Sequence, residues 1–495
     1  MFGSQPFTPN YAQESSGFSS MSPFDGTGLS QSQVNDIIKA LTSSYDRPPT
    51  TGGGTLIPES LDATMKVLEF REGHLKLWKQ INKTPAASVI EQYNVLTSYG
   101  PGNGYSVRFG ETGPETASEY VRKVLFLKAK SVTRAVTDEM TLVNSQPGSV
   151  IALETKNAIL DILRDVEKDL FYADSTLAFN GQSEQWDGLD SLIQSDMTLD
   201  LENAPLQEAV VETAANLLVE HYAEPNKFFL NTKAMSDLNK TMYPRERYNL
   251  PAPTNGQIGI NVEKISTSAG ILDFEPSIFV KKASSPSAVA TSVNAPATPQ
   301  AIASIAMGTA GTSDWTKLGV SLVPGLTFGY AVCAGNRHGL SAPVINIAVE
   351  GTVTGAALAA GQSLNFNITN AAVIGSQAPE FFVVYRTNVL ANTVNAAPTD
   401  LSQYSEIFRV RCTAQGAGVT GASVVDRNIF LPFTSKAFMG QMTPDVLTWR
   451  QLAPLRKINL ALTSPAYRWM LLLYGAVALF APAKWCRLIN IGDLT

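Results

Sequence analysis

The chain has 495 residues, 44% of them hydrophobic and 16% charged, and a formal net charge of −6. That gives room for roughly two to four domains with sizeable cores, and it lacks the basic footprint of tight nucleic-acid binding. Cys333, Cys412 and Cys486 form no Cys-x-x-Cys pair and no even framework, which argues against a disulfide scaffold and a structural zinc site and suits a reducing compartment.

In chain order, residues 1–57 are rich in Ser, Gly, Pro and Gln, an arm rather than a core. Within them Val34, Ile37, Ile38, Leu41 and Tyr45 have the spacing of a short helix, opened by Ser30 or Ser32. A helix that short is marginal in water and needs a surface to dock on. Gly52-Gly53-Gly54 reads as a hinge, since no Gly-Lys-Ser/Thr follows it. No basic stretch followed by an apolar core opens the chain, so no signal peptide is expected.

Residues 58–146 form the next unit. Pro58 opens a predicted helix carrying Leu61, Met65 and Leu68 and continuing towards Leu75, Trp78 and Ile81. After Pro85-Ala-Ala-Ser-Val-Ile-Glu-Gln-Tyr93, the glycines at 100, 102, 104, 110 and 113 predict a twisted hairpin at about 99–122. Arg108, Glu111, Glu115, Glu119 and Arg122 lie along it. A two-stranded ribbon with little core of its own needs a partner surface. Val121 to Val143 reads as strands.

Residues 147–200 hold one long amphipathic helix. Pro147-Gly148-Ser149 supplies a breaker and then a capping hydroxyl, and Ile159, Ile162, Val166 and Leu170 make an apolar stripe. The charges, Glu167 among them, are expected mostly off that stripe. The helix breaks at Phe179-Asn180-Gly181, and Trp186-Asp187-Gly188-Leu189-Asp190-Ser191-Leu192-Ile193 follows. Asp187, Gly188 and Leu189 are read as the turn after the helix.

Residues 201–283 alternate helix, strand and helix: Pro205–Tyr222, then a buried strand ending at Asn231, then Ala234, Leu238 and Met242. Between Ser284 and Thr434 there are six Lys/Arg and six Asp/Glu, and short alternating strands separated by tight turns mean an all-β sandwich. From 435 to 495 a helical and mixed pattern is expected to resume. Its apolar run, Trp469 to Ala481, is about 13 residues where a membrane span needs about 20.

Several of these stretches resemble the major capsid proteins of tailed bacteriophages, the Hong Kong 97 fold. The helix followed by "Asp-Gly-Leu…Leu-Ile", the "Pro-Ala-x-Ser-Val-x-Glu…Tyr" run before a glycine-rich turn, and Tyr474-Gly475-Ala-x-x-Leu479 before Pro482 carry the likeness. "Tyr-x-Val-x-Ala-x-Asn-x-x-Gly-x-Ser-x-Pro" from Tyr330 and Val384-Tyr385-Arg386 resemble immunoglobulin- or fibronectin-like modules of phage surface proteins. The resemblance implies an α+β fold with an N-arm (1–57), an extended loop, a peripheral domain around a spine helix, and an axial domain (201–283). The sandwich (284–434) is then an insertion, and 435–495 returns to the axial and peripheral domains. It implies a last segment of helix followed by a closing strand. It also implies a subunit of an icosahedral head around double-stranded DNA, assembled in the host cytoplasm. Its partners would be itself in hexamers and pentamers, with scaffolding, portal and decoration proteins, and DNA held non-specifically; no membrane is involved. Arg108, Glu111, Glu115, Glu119 and Arg122 become candidate inter-subunit contacts. Lys123 and Lys128 lie near the hairpin base, so the family's lysine–asparagine cross-link is not carried over.

No catalytic constellation has convincing spacing, and no cofactor or metal is expected. His74, His221 and His338 lie in separate segments, and there is no Walker or Gly-x-Ser-x-Gly motif. Asp187 and Asp190 read as turn aspartates in preference to a calcium corner. Two other readings stay open: an encapsulin-type cargo shell, and a carbohydrate-active enzyme with a fibronectin-like module.

Overall fold

A computed structural model describes residues 71–100, 108–113, 115–142, 149–177, 185–246, 262–280, 283–300, 302, 305–309, 315, 327–336, 338–349, 361–370, 378–390, 397–416, 419–461 and 465–494. The arm helix, the glycine triplet, the first part of the Pro58 helix and the Phe179-Asn180-Gly181 break lie outside the described residues.

A 3-10 turn (Glu72–His74) leads to helix α1 (Leu77–Gln80) and strand β1 (Asn82–Pro85). The predicted continuous helix as far as Ile81 is therefore corrected. The backbone N–H groups of Lys76, Leu77 and Trp78 all donate to the carboxylate of Glu167 at 2.8–2.9 Å. Those donors cannot also serve the preceding turn, so a new helix must start there.

Strands β2 (Ile90–Ser98) and β3 (Glu119–Phe126) pair antiparallel, from Ile90↔Phe126 to Ser98↔Glu119. The ribbon is thus longer than the predicted 99–122 window, whose interior forms only its far end. β4 (Lys128–Thr137) and the short α2 (Asp138–Leu142) follow.

Helix α3 (Val150–Tyr172) has 23 residues, about 35 Å at 1.5 Å each. Ser149 caps it as predicted, its Oγ accepting from the Ala152 N–H at 3.4 Å. Ala158, Ile162, Val166, Leu170 and Phe171 are buried along one side. Ile159 is only half-buried and Glu167 lies fully inside, against expectation. Glu167 sits one residue past Val166 on the same face, and the α1 amides give its charge somewhere to go.

Then come α4 (Leu189–Leu192), β5 (Thr198–Asp200), α5 (Glu208–Glu220), β6 (Lys227–Leu230), α6 (Thr232–Glu246), β7 (Lys264–Thr267) and β8 (Gly270–Pro276). This is the helix–strand–helix order read from the sequence.

The charge-poor stretch holds β9 (Ala306–Thr309), β10 (Thr327–Asn336), β11 (Gly339–Leu340), β12 (Val344–Val349), β13 (Gln362–Asn370), β14 (Phe381–Thr387), β15 (Tyr404–Arg411), β16 (Thr413–Gly416) and β17 (Val419–Asp426). One sheet runs β11-β10-β14-β15 with β12 also on β10, and the other runs β16-β17-β13-β9. Alternate residues of both, Phe328, Tyr330 and Val332 with Phe366, Ile368 and Val424, share one core, so the pair is a sandwich. Within it Arg386 is fully buried. Its guanidinium donates to Asp426 and Asn428, each at 2.6 Å, and Tyr330 donates to the same Asp426 oxygen at 2.7 Å.

The last elements are β18 (Ser435–Gly440), β19 (Leu447–Asn459), β20 (Ala466–Leu479) and β21 (Trp485–Ile491). The helix expected around Tyr474-Gly475-Ala is a strand, which corrects that reading. β20 lies between β19 and β4, in the order β1-β19-β20-β4, and a strand covered on both faces carries an unbroken apolar run instead of an alternating one. Gly475 belongs to this packing, for a Cβ there would lie 2.4 Å from the Trp449 ring.

The second sheet of this body runs β5-β21-β18-β6-β8-β7. In both sheets a pair of strands from after the sandwich therefore lies between strands from before it. The six-stranded sheet is buried on both faces. Phe228, Leu230, Met439 and Leu488 pack with Leu218 of α5 and Leu238 of α6, while Phe229, Phe438 and Trp485 pack with Leu170 and Phe171 of α3.

Candidate assembly interface

The β2–β3 ribbon has two unlike faces, because directly paired residues of an antiparallel ladder lie on the same side. On the inner face Tyr93 meets Phe480 edge-on at 4.8 Å, and the Arg450 guanidinium covers the same ring and reaches Glu91 at 3.5 Å. Burial there raises the pKa of the Tyr93 hydroxyl. Ile90, Leu96, Tyr120, Val124 and Phe126 form the outer face, with Asn94 and Arg122 bonded between them at 3.2 Å. These five apolar side chains are 37–69% exposed. Exposed apolar side chains at both ends of the ribbon face, with one polar pair between them, are a mark of an interaction surface.

All five predicted charged contact residues lie on the ribbon and are exposed. The Glu111 N–H donates to the Arg108 carbonyl in a turn at the far end, Glu119 pairs with Ser98, and Arg122 with Asn94. The ladder joins Arg122 to the apolar face, while Glu119, next to Tyr120 on β3, alternates to the other side; Arg108, Glu111 and Glu115 lie outside the two strands. The apolar partners were missed by reading charges alone. Their signal was the alternate spacing of Tyr120, Arg122, Val124 and Phe126, which a one-face-exposed strand requires.

The Asp187-Gly188-Leu189 turn is not a surface feature. The Gly188 N–H donates to the Ala173 carbonyl at 2.8 Å, and a Cβ at Gly188 would lie 2.6 Å from the Asp169 carbonyl oxygen. The turn is pressed onto the end of α3, where only glycine fits. Asp187 accepts from the Ser175 N–H at 2.9 Å, and Leu189 is buried in the core. Asp190 takes Lys436 at 2.7 Å and Arg487 at 3.0 Å. Burial opposes its ionisation, but the two cations outweigh burial and hold its carboxyl below the usual aspartate range. Its oxygens are thus committed to residues of β18 and β21, not to a metal corner.

Glu167 behaves in the opposite way. Burial pushes its pKa up, against three amide hydrogen bonds that favour the charge. Among the described residues no three of His, Cys, Asp or Glu are grouped to hold a metal, and no helix is long and apolar enough to cross a membrane. Cys333 and Cys486 are buried, with thiol pKa values pushed up to about 12, so they stay protonated at neutral pH.

The sheets share strands from before and after the sandwich, and the ribbon carries exposed apolar side chains on one face. A family model described as SU10 major capsid protein matches residues 129–295, from β4 to the threshold of the sandwich. A putative major capsid protein of Enterococcus phage phiEF24C is 25% identical over 473 residues, covering 92% of this chain and 94% of that protein. The major capsid protein of Staphylococcus phage K is 24% identical over 469 residues, covering 92% and 95%. Matches this long take in the sandwich as well. Among solved structures, one described as Microbacterium phage Oxtober96 aligns at a TM-score of 0.44 with 8% identity, over 90% of this chain and 98% of that one. Over nine-tenths of its length the chain is thus similar to phage major capsid proteins, and that likeness supports a protein of the virion head shell.

Proposed function

We propose that this protein self-assembles through hexamers and pentamers into an icosahedral shell around packaged double-stranded DNA, and that its role is wholly structural. The observation that carries this is the ribbon's outer face, whose apolar side chains the described residues leave exposed. A neighbouring copy is the occupant a shell supplies, and closed symmetry repeats each modest contact many times over. Arg108, Glu111, Glu115, Glu119 and Arg122 then set register and choice of partner around that face, as rim charges do. The net charge of −6 suits a wall that touches DNA without gripping it.

In this reading 147–200 with parts of 58–146 and 435–495 make the peripheral domain, 201–283 the axial domain, and 1–57 an arm laid on neighbours. The sandwich (284–434) is an immunoglobulin-like module on the outer surface that binds a host surface or steadies capsomers. Scaffolding, portal and decoration proteins are the further partners, and assembly takes place in the host cytoplasm.

Electron microscopy of the purified chain tests the proposal, the expected outcome being closed shells. The triple variant Leu96→Ser, Tyr120→Ser, Phe126→Ser is expected to stay soluble and folded yet to yield no shells; normal shells from it would refute the ribbon contact. Nucleic acid within shells recovered from infected cells separates a genome container from a protein-cargo shell of the encapsulin type.

A further inference from the structure

Domains joined by two linkers normally swing relative to one another, unless specific contacts restrain them. The sandwich leaves and rejoins the body at adjacent points. The Ala283 N–H donates to the Thr434 carbonyl at 3.1 Å, and the Glu406 N–H to the Ser284 carbonyl at 2.9 Å. The return segment from Asn428 to Thr434 is no flexible tether. Its sequence is Asn-Ile-Phe-Leu-Pro-Phe-Thr, Asn428 and Leu431 are buried, and Asn428 and Phe433 hold positive φ angles of 56° and 61°. The Phe433 N–H is taken by Ser405 Oγ of β15 at 2.9 Å. The Lys436 ammonium sits 4.3 Å from the centre of the Phe430 ring while it holds Asp190.

At the centre of these contacts is Asn490 of β21, only 1% exposed. Its Oδ1 accepts the Leu431 N–H, and its Nδ2 donates to both the Ile429 carbonyl and Asp200 Oδ1 of β5, all at 2.8 Å. One side chain thus ties the sandwich's return segment to two strands of the body. Its φ of +56° is a conformation that asparagine tolerates better than most residues. This places the amide where the return segment passes.

We propose that the β-sandwich is mounted rigidly on the body, with Asn490 as the positioning residue that fixes its orientation. Any surface the sandwich meets is then met at one set angle. The inference concerns the single chain and stands apart from the shell reading.

The test is the full-length chain with Asn490→Gly. Glycine keeps the positive φ without strain and removes only the side chain. Spin labels at Val293→Cys on the sandwich side and Tyr222→Cys on the body use two exposed positions, and the native cysteines are buried. Labelled chain is diluted into unlabelled chain so that only distances within one chain are read. The parent should give one narrow distance distribution, and Asn490→Gly should broaden it about twofold as free domain motion returns. In the same variant the Leu431 amide should exchange with solvent about tenfold faster or more, while Phe438 in the body and Val384 in the sandwich stay protected. An unchanged width with unchanged Leu431 exchange overturns the proposal. So does joint loss of protection at Phe438 and Val384, which would make Asn490 a general fold residue. If the glycine variant does not fold, Asn490→Asp carries the same test: it keeps size and acceptor but loses both donated bonds, so the distribution should again widen.

Discussion

The ribbon and the sandwich are both antiparallel β structure hung on one body, yet they treat their apolar residues in opposite ways. The sandwich folds Phe328, Tyr330, Phe366 and Val424 onto one another between two sheets. The ribbon has no second sheet and leaves Tyr120, Val124 and Phe126 in solvent. An element with its own core is a passenger that can be carried anywhere; one without a core is completed only by a partner. In the proposed reading, the difference separates what stabilises the subunit from what joins subunits.

The sharpest test of that division is inside the sandwich. Arg386→Met leaves Asp426 buried without its cation, and breaking such a pair costs about 3–5 kcal/mol. Calorimetry should show the sandwich melting early while the body's own transition holds. A single transition displaced as a whole would mean that the two are not separate in energy.

The contact of α1 with α3 comes next. Glu167→Gln turns one of the two carboxylate oxygens that accept the three amides into a donor facing an N–H, which should cost about 1–3 kcal/mol. Hydrogen exchange should locate the loss at residues 76–78, with the sandwich unaffected.

Acid then discriminates between two carboxylates, Asp190 and Glu167. Asp190 has a lowered pKa, so the stability it gains from Lys436 and Arg487 is complete above its ordinary value of 3.8 and is lost as pH falls through its lower folded value. Glu167 has a raised pKa, so its charge burdens the fold at neutral pH and the burden lifts as pH falls through the folded value towards 4.5. Overall stability followed from pH 7 downwards should therefore hold or rise through the Glu167 titration. The neighbourhood of Lys436 loosens only in stronger acid.

The smallest effect on the subunit, and the clearest on assembly, belongs to the ribbon's exposed charges. Glu111→Lys with Glu115→Lys should change subunit stability by no more than about 0.5 kcal/mol, as exposed sites usually do. Shell yield measured by sedimentation should nevertheless fall. Normal yield would confine the contact to the apolar face.

How much of this was legible follows from the distance over which each feature is decided. The Ser149 cap, the α3 stripe and the alternation of β10 are settled by residues a few positions apart, and each was read from the sequence. β20 was misread as a helix because Met470 to Leu479 is covered on both sides, which erases the alternation that marks a strand. Glu167, Asp190 and Asn490 were not recognised for what they hold. Their partners Lys76, Arg487 and Leu431 lie 91, 297 and 59 positions away, and no local pattern announces a partner that far along the chain. The ribbon's charges were found, while its apolar face was passed over because exposed Tyr120 and Phe126 look like ordinary strand residues until the pairing shows which side they occupy.

The place of β21 has a bearing on synthesis. It lies between β5 and β18, and β18 in turn lies against β6, so the middle of the six-stranded sheet is made from residues translated more than two hundred positions after β6. A nascent chain on the ribosome holds α5, α6 and β6 beside a gap until that late segment emerges, and an open strand edge is a site for wrong pairings. A chain released before that segment emerges lacks two inner strands of the sheet, β18 and β21, and cannot complete the body.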